Sequence, residues 1–299
     1  MMSQRSRALP SIGVESRGNR SVGTRVWRLV RSNPLGMVGL ILISTLVVAG
    51  LFADQIARYP IDQFAGKPNS GPTGDFWFGT NKFGQDIFSR VVHGAQISLK
   101  VGFLSVICGT ALGLVIGATS GFRGGLVDTF IQRIVDTMIA FPQIIFLLII
   151  IRALGPSERN VIIVIAVLIV PGVTRIIRGS TLGQKNNMYV EAARSMGASD
   201  VRLIFRHIIP NLLPIAIVLA TTLLGTAILA ESALSFLGLG IPPPNPSWGV
   251  DINIARSGYP VNVAAALFPG LAISLTVLGF NFLGDSLRDI LDPRLRGSR

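Results

Sequence analysis

Long apolar runs alternate with short polar segments along almost the whole chain. Six of these runs carry few or no charges over about 20 residues, the length that a helix needs to cross the hydrocarbon core of a bilayer. They lie near residues 34–53, 97–119, 129–151, 158–178, 214–236 and 263–285. The pattern therefore predicts an all-α, polytopic membrane protein with six transmembrane helices.

The third and fourth runs are less regular than the others. Charged residues open the third run, and Pro142 predicts a kink in it. Arg133 and Asp136 lie one helical turn apart in this run, which favours a local ion pair between them. Pro171 interrupts the fourth run, which ends near Arg175.

The composition supports a membrane protein and argues against several other classes. Only 14% of the 299 residues are charged, against about a quarter in soluble domains. The net charge of +12 comes from basic residues in the polar segments, without the aromatic interleaving of a nucleic-acid surface. Cys108 is the single cysteine, and we expect it to be a small packed residue of the second run. With two histidines far apart, the sequence predicts neither a disulfide framework nor a metal site, and no cofactor.

The distribution of basic residues predicts the orientation of the chain. The first 33 residues form a basic arm with seven arginines against one acid, Glu15. The segment 54–96 has balanced charges, whereas the loop 185–213 and the tail 287–299 are basic. By the positive-inside rule the arm, this loop and the tail are cytoplasmic, and residues 34–286 form the six-span domain. A cleaved signal peptide is disfavoured because the first apolar run is longer than a typical signal core.

One charged stretch, residues 189–214, lies between the fourth and fifth runs. Its first eight residues predict a short helix, and Gly197 predicts the left-handed turn that ends this helix. Ser199 is placed to cap a second, amphipathic helix, which Pro210 and Pro214 would close. From the residues alone, the stretch is either an amphipathic loop on the membrane surface or a docking element.

The order of residues in this stretch resembles the cytoplasmic EAA loop of ABC importer permeases. Glu191-Ala-Ala is followed by Gly197, then by Ile-Ile-Pro and a second proline. In that family the loop forms a short coupling helix that docks in a groove of the ATPase subunit. The resemblance implies these ATPase-coupling residues: Glu191, Ala192, Ala193, Arg194, Ser195, Met196 and Gly197. Ala192 and Ala193 would allow another protein to approach closely.

Three further segments are similar to dipeptide and oligopeptide permeases of this family. Residues 78–90 resemble the segment before the second span, although Asn81 and Gln85 replace the usual acidic and basic residues. Residues 231–249 are similar to the signature of the second, C-type permease subunit, and 284–294 match its usual ending. The resemblance implies the type I ABC importer permease fold.

Glu231 is the ionisable residue that the sequence places deepest in the membrane. It lies 17 residues after Pro214, or roughly 25 Å along a helix. An ionisable group at this depth needs a partner or a wet cavity, so it either lines the transport path together with Ser232 and Ser235 or forms a structural pair with another helix.

The proline run before Trp248 predicts a rigid connector, with the indole of Trp248 at the outer membrane interface. The alternative is that this segment is a contact surface for a substrate-delivering protein.

The resemblance predicts a transport subunit rather than an enzyme. Lys67 and Lys185 lack the Gly-Lys-Ser/Thr context of a phosphate-binding loop, so ATP would be hydrolysed on other subunits. The expected partners are a homologous second permease, two ATP-binding subunits, an extracytoplasmic substrate-binding protein and membrane lipid, but no nucleic acid. The expected substrates are dipeptides or oligopeptides, with glutathione or nickel complexes as alternatives, and the expected location is the bacterial inner membrane. An ion-coupled secondary transporter and a membrane scaffold are the rival classes.

Overall fold

The computed structural model of the chain describes residues 34–257 and 262–291. The predictions for the basic arm, and for the tail beyond residue 291, lie outside the described residues. Within them the secondary structure is helical, without an extended strand, and a single bridge joins Thr80 to Asp86. The predicted all-α fold is therefore confirmed.

The helices fall into long apolar segments and short connecting ones. In chain order they are α1 (Pro34–Leu51), α2 (Ala53–Ile56), α3 (Ile87–Arg123), α4 (Gly125–Ala140), α5 (Gln143–Leu154), α6 (Glu158–Gln184), α7 (Met188–Ser195), α8 (Asp200–Leu203), a π-helix (Ile204–Ile208), α9 (Ile209–Phe236), α10 (Trp248–Arg256) and α11 (Val263–Leu291).

Five segments of the described chain are long and apolar enough to cross a membrane. Four of them are the single helices α1, α3, α6 and α11. The fifth is one continuous unit made of α8, the π-helix and α9. Helices α4 and α5 pass the same test together, although they are bent by 97° at their junction. The described residues thus hold five spans, or six if the bent pair counts as one, in agreement with the predicted number.

The bend predicted at Pro142 is present but exceeds a kink, whereas the interruption predicted at Pro171 was wrong. The third run is not one kinked helix, because Phe141 and Pro142 both leave the helical conformation and separate α4 from α5. A residue before proline is pushed towards extended backbone, and Phe141 has φ −78° and ψ 138°. Pro171, by contrast, does not interrupt the fourth run; it is buried inside α6, which continues to Gln184.

A row of glycines on α3 holds α6 at close range. Gly109, Gly113, Gly117 and Gly121 recur every fourth residue and therefore share one face. A Cβ atom at Gly117 would lie 2.6 Å from the carbonyl oxygen of Thr174, and one at Gly121 would lie 2.8 Å from that of Arg178. Small residues at this spacing let two helices pack closely within a membrane. The row fixes α6, whose end leads into the charged loop.

Several apolar side chains on the outside of the bundle are exposed, as a lipid-facing surface requires. Cys108 belongs to this group, so the prediction that it is packed inside a span was wrong. The opposite holds for Trp248, which was expected at the membrane interface. It is fully buried and its indole N–H donates to the carbonyl oxygen of Val91 at 2.9 Å, so it is not an anchor at the outer interface.

Candidate docking loop and translocation cavity

The short helix α7 presents two different faces. Val190 and Ala193 are buried against the bundle, whereas Met188 and Met196 are 86% and 81% exposed. Ala192 is exposed between these two methionines. Exposed methionines beside a small residue form an adaptable apolar surface, typical of a helix that docks in a groove of another protein.

Gly197 ends α7 in the predicted left-handed conformation, with φ +84°. Its N–H donates to the carbonyl oxygen of Arg194 at 2.9 Å, and the N–H of Ala198 donates to that of Ala193 at 3.1 Å. These two hydrogen bonds close a Schellman turn. Apart from its chain neighbours, no atom of the described residues lies within 4 Å of where a Cβ of Gly197 would be, so the glycine serves backbone conformation and not close packing.

Two of the predicted coupling residues contact this chain's own bundle. Ala193 is 4% exposed, and the guanidinium of Arg194 lies over the ring of Phe122 at 5.5 Å from its centroid. This cation–π contact attaches α7 to the end of α3. The close approach expected at Ala193 is therefore an approach to the protein's own bundle, while Glu191, Ala192, Ser195 and Met196 remain exposed. Coupling by these residues stays a prediction.

The second half of the loop does not end where the prolines predicted. Ser199 does precede α8 as predicted, although its side chain makes no capping hydrogen bond. The helix then continues through the π-turn into α9, with Pro210 in the first turn of α9 and Pro214 inside it. A π-turn widens the helix, which relieves the clash between a proline ring and the preceding turn.

A cavity of about 870 Å³ opens between the α4–α5 elbow, α6, α9 and α11. Its wall is mostly apolar, with Gln143, Thr222 and Thr226 as uncharged polar residues and Asp285 and Arg288 as charged ones. The described residues that line it on α6 and α9 are Leu168, Ile169, Pro171, Gly172, Val173, Ile176, Pro214, Ile215, Val218, Leu219, Thr222, Leu223 and Thr226.

Two ion pairs join α4 to α6, and the second of them lies next to residues of the cavity wall. Arg178 donates to both carboxylate oxygens of Asp128 at 2.6 Å, and Arg175 donates to Asp136 at 2.5 Å. The expected local pair between Arg133 and Asp136 is not formed, because Asp136 pairs with Arg175 on the neighbouring helix. Sequence spacing could not reveal this pair, since its members are 39 residues apart.

Glu231 lies away from the cavity, inside a cluster of serine hydroxyls. Its carboxylate accepts hydrogen bonds from Ser98 at 3.0 Å, Ser235 at 2.7 Å and Ser232 at 3.4 Å, and it is 0% exposed. No basic side chain forms an ion pair with it among the residues that the structure describes. The cavity wall does not include Glu231, Ser232 or Ser235. Their role in the transport path stays a prediction, and this geometry suits a link between α3 and α9.

Glycines of the C-type signature pack directly onto this serine cluster. A Cβ at Gly240 would lie 2.1 Å from the hydroxyl oxygen of Ser235, and one at Gly249 would lie 2.2 Å from the carbonyl oxygen of Ser232. Such distances leave no room for any other residue. The residues of the signature therefore form a close-packed connection that holds α10 against the end of α9.

Replacing Glu231 separates hydrogen bonding from charge. We expect Glu231→Gln to leave assembly of the protein largely intact, because the amide oxygen can accept from serine hydroxyls on one side while the amide N–H donates to a serine oxygen on the other, and to alter transport. Glu231→Leu removes every acceptor and leaves buried hydroxyls unpaired, at a cost of about 1–3 kcal/mol for each group. Thermal unfolding and substrate uptake of both variants would test this. Wild-type uptake in Glu231→Gln would argue that the carboxylate is purely structural.

The apolar helical bundle, the charged loop 185–213 (the docking loop below) and the cavity between the helices suit one class of protein, a helical membrane transport component. The family model "Binding-protein-dependent transport system inner membrane component" matches residues 110–297, and "N-terminal TM domain of oligopeptide transport permease C" matches residues 21–72. The glutathione transport system permease protein GsiD of Escherichia coli O6:K15:H31 (strain 536 / UPEC) is 42% identical over 273 residues, which cover 91% of this chain and 90% of that protein. GsiD of Shigella boydii serotype 4 (strain Sb227) has the same identity and coverage.

The chain therefore belongs to the binding-protein-dependent transport system inner membrane component family. It is a multi-pass inner-membrane permease subunit of an ABC importer, as the EAA-like loop and the C-type signature predicted. Such a subunit is a transport component.

Proposed function

We propose that this chain forms one half of a pathway for short peptides, including glutathione, and that the cavity is its part of the path. The observation that carries the proposal is the continuity between cavity and docking loop. Helix α6 runs from the cavity wall at Ile176 into the loop, and α9 runs from the loop back to the wall at Pro214. A force on α7 would therefore act on two walls of the cavity at once, which suits alternating access by rigid-body movement.

The proposed complex contains a homologous second permease, two ATP-binding subunits and an extracytoplasmic binding protein. The family implies such partners in general. The exposed face of α7 suits an ATPase groove, because its two methionines are almost fully exposed in the part of the chain that the structure describes. ATP hydrolysis takes place on the ATP-binding subunits, and this chain supplies the membrane path.

Two observations support short peptides as substrates. GsiD is named for glutathione transport, and the family model at the start of the chain is named for oligopeptide transport. Glutathione is itself a tripeptide, so glutathione and short oligopeptides belong to one chemical class, small zwitterions with an amide backbone. A cavity of about 870 Å³ is within the range of roughly 300–1,000 Å³ in which proteins bind small molecules.

Uptake by the reconstituted complex tests this proposal. Vesicles holding both permeases and the ATP-binding subunits, supplied with the binding protein, should accumulate labelled glutathione or a labelled dipeptide only with ATP. An excess of unlabelled peptide should compete, whereas a nickel complex should not. This chain alone should neither hydrolyse ATP nor move substrate. Competition by the nickel complex without competition by peptides would refute the substrate class.

We also propose that the docking loop lies on the cytoplasmic side. In a Cys108→Ser background, single cysteines at the exposed positions Asp75 and Asn245 should react with an impermeant maleimide added outside intact cells. A cysteine at the exposed residue Asn186, in the loop, should react only after the membrane is opened. Reaction at position 186 in intact cells would reverse the orientation.

A further inference from the structure

The two ion pairs between α4 and α6 differ in their environment. Asp128 and Arg178 are 15% and 31% exposed and share a bidentate contact, whereas Asp136 and Arg175 are 54% and 52% exposed. The more exposed pair makes a single 2.5 Å contact. More than half of each of its side chains therefore faces away from this chain.

The depth of Arg175 makes this exposure informative. Helix α6 has 27 residues, about 40 Å at 1.5 Å per residue, and Arg175 lies nine residues before its end at Gln184, or about 14 Å. The hydrocarbon core of a bilayer is about 30 Å thick. Arg175 lies inside the apolar run 158–178, three residues before its end, and a charge that faces lipid there is costly. The exposed side of the pair must then face water or protein.

The cavity is the described feature that the pair adjoins. Arg175 follows Leu168 by seven residues and Pro171 by four, so the three share one face of α6. Both of these apolar residues line the cavity. On the other helix Asp136 lies one turn before Ile139, which also lines it. Asp136 and Arg175 are not themselves part of the cavity wall, but each lies on its helix beside residues that are, so the pair lies at the edge of the cavity.

We propose that Asp136 and Arg175 bind the charged ends of the peptide as it moves through the path. The guanidinium of Arg175 suits the planar carboxylate, and the carboxylate of Asp136 suits the ammonium group. Without substrate the two side chains neutralise each other, and a zwitterion can exchange for their mutual contact without any change in net charge. This inference rests on the proposed function, since it assigns a site within the proposed path.

Water access to the pair is tested by labelling one cysteine at a time in the complete complex. In a Cys108→Ser background, Ile176→Cys lies next to Arg175 on the cavity wall, and Ile163→Cys is a matched control on α6 with similar exposure, 47% against 41%. A charged, water-soluble thiol reagent should modify position 176 at least about tenfold faster, because thiolate chemistry needs water. Equal and slow modification at both positions would overturn the proposal.

The role of the charges is tested by uptake of glutathione or a dipeptide per ATP hydrolysed. We expect Arg175→Gln and Asp136→Asn each to lower this ratio about tenfold, since a hydrogen bond between charged groups is lost. Arg175→Lys, which keeps the charge, should recover part of it. Asp128→Asn and Arg178→Gln remove the other α4–α6 pair and should leave the ratio unchanged.

The exchanged double variant, Asp136→Arg with Arg175→Asp, distinguishes substrate binding from a clamp between helices. A clamp works with its charges in either order, so recovery of the uptake ratio by the exchange would overturn the proposal. Binding of an oriented peptide predicts no recovery. If the wild-type complex takes up no peptide, the proposed function itself fails; if it does and the single variants behave as wild type, the inference alone fails.

Discussion

Arg90→Gln should destabilise the protein by about 3–5 kcal/mol, because it leaves a buried carboxylate without its counter-charge. Arg90 and Asp251 are 4% and 7% exposed, and the guanidinium Nε donates to Oδ1 of Asp251 at 2.6 Å. The second oxygen of Asp251 already lacks a hydrogen-bond partner within the described residues. We expect α10 to detach from α3, which thermal unfolding in detergent would report as a lower Tm.

The pH dependence of this loss follows from the environment of Asp251. Burial raises the pKa of its carboxyl, and the nearby Arg90 opposes that rise. Without Arg90 the carboxyl takes up a proton more easily in the folded state than in the unfolded state. The stability deficit of Arg90→Gln should therefore be smallest at low pH, where Asp251 is protonated, grow as the pH rises through the raised pKa of Asp251, and stay at its full size above it.

Two controls accompany the Arg90 variant. The double variant Arg90→Gln with Asp251→Asn removes both charges and should recover much of the lost stability. Lys100→Gln breaks the pair of Lys100 with Glu158, in which the side chains are 57% and 31% exposed. An exposed pair is worth under about 1 kcal/mol, so this change should have little effect. A wild-type Tm for Arg90→Gln at neutral pH would contradict the assigned role.

The helical membrane architecture was predictable because it depends on local composition. A bilayer requires a minimum apolar length, and each run carries that information within itself. The turn at Gly197 was equally local, since glycine tolerates a left-handed backbone that other residues avoid. The resemblance of residues 191–197 to the EAA loop gave the protein class.

The effect of the two prolines on their helices could not be predicted from the apolar runs alone. Pro142 and Pro171 both lie within apolar runs, yet α4 and α5 separate at the first, and α6 continues through the second. The neighbours account for the difference. The glycine row of α3 holds α6 along its length, with atoms of Ala166 and Arg178 at the two ends of the contact. Whether a proline breaks its own helix therefore depends on the helices packed against it. The sequence of a single apolar run does not show which helices those are.

The candidate site shows the same limit. Asp136 was expected to pair within its own turn but pairs with Arg175, and Trp248 was expected at the membrane surface but is buried against Val91. Each contact joins residues far apart in sequence. Glu231 stood out as a charge in an apolar run, but its serine partner on α3 is 133 residues away. The sequence therefore identified unusual residues, while their partners depended on the fold.

Ala192→Arg should abolish binding of the ATP-binding subunit while leaving the membrane spans inserted. Ala192 is exposed between Met188 and Met196, so a long cation there would hold a partner groove away from both methionines. Loss of a central apolar contact typically costs about 2 kcal/mol or more. The measurement is recovery of the ATP-binding subunit with the purified permease pair. Ala193 offers no such test, because it is buried and its replacement would disturb this chain's own packing.

Gly197→Val should weaken the same interaction by another route. The Cβ of the valine would meet no atom of a described residue beyond its chain neighbours within 4 Å, but a branched residue at φ +84° is strained by about 1–2 kcal/mol, so α7 would lose its end and its orientation. Gly197→Asn is the matched control, since asparagine tolerates the left-handed conformation, and it should bind nearly as well as wild type. Hydrolysis stimulated by the loaded binding protein should follow the same order as binding. Normal binding and normal stimulation in both Ala192→Arg and Gly197→Val would mean that α7 rests on the membrane surface without docking to the ATPase.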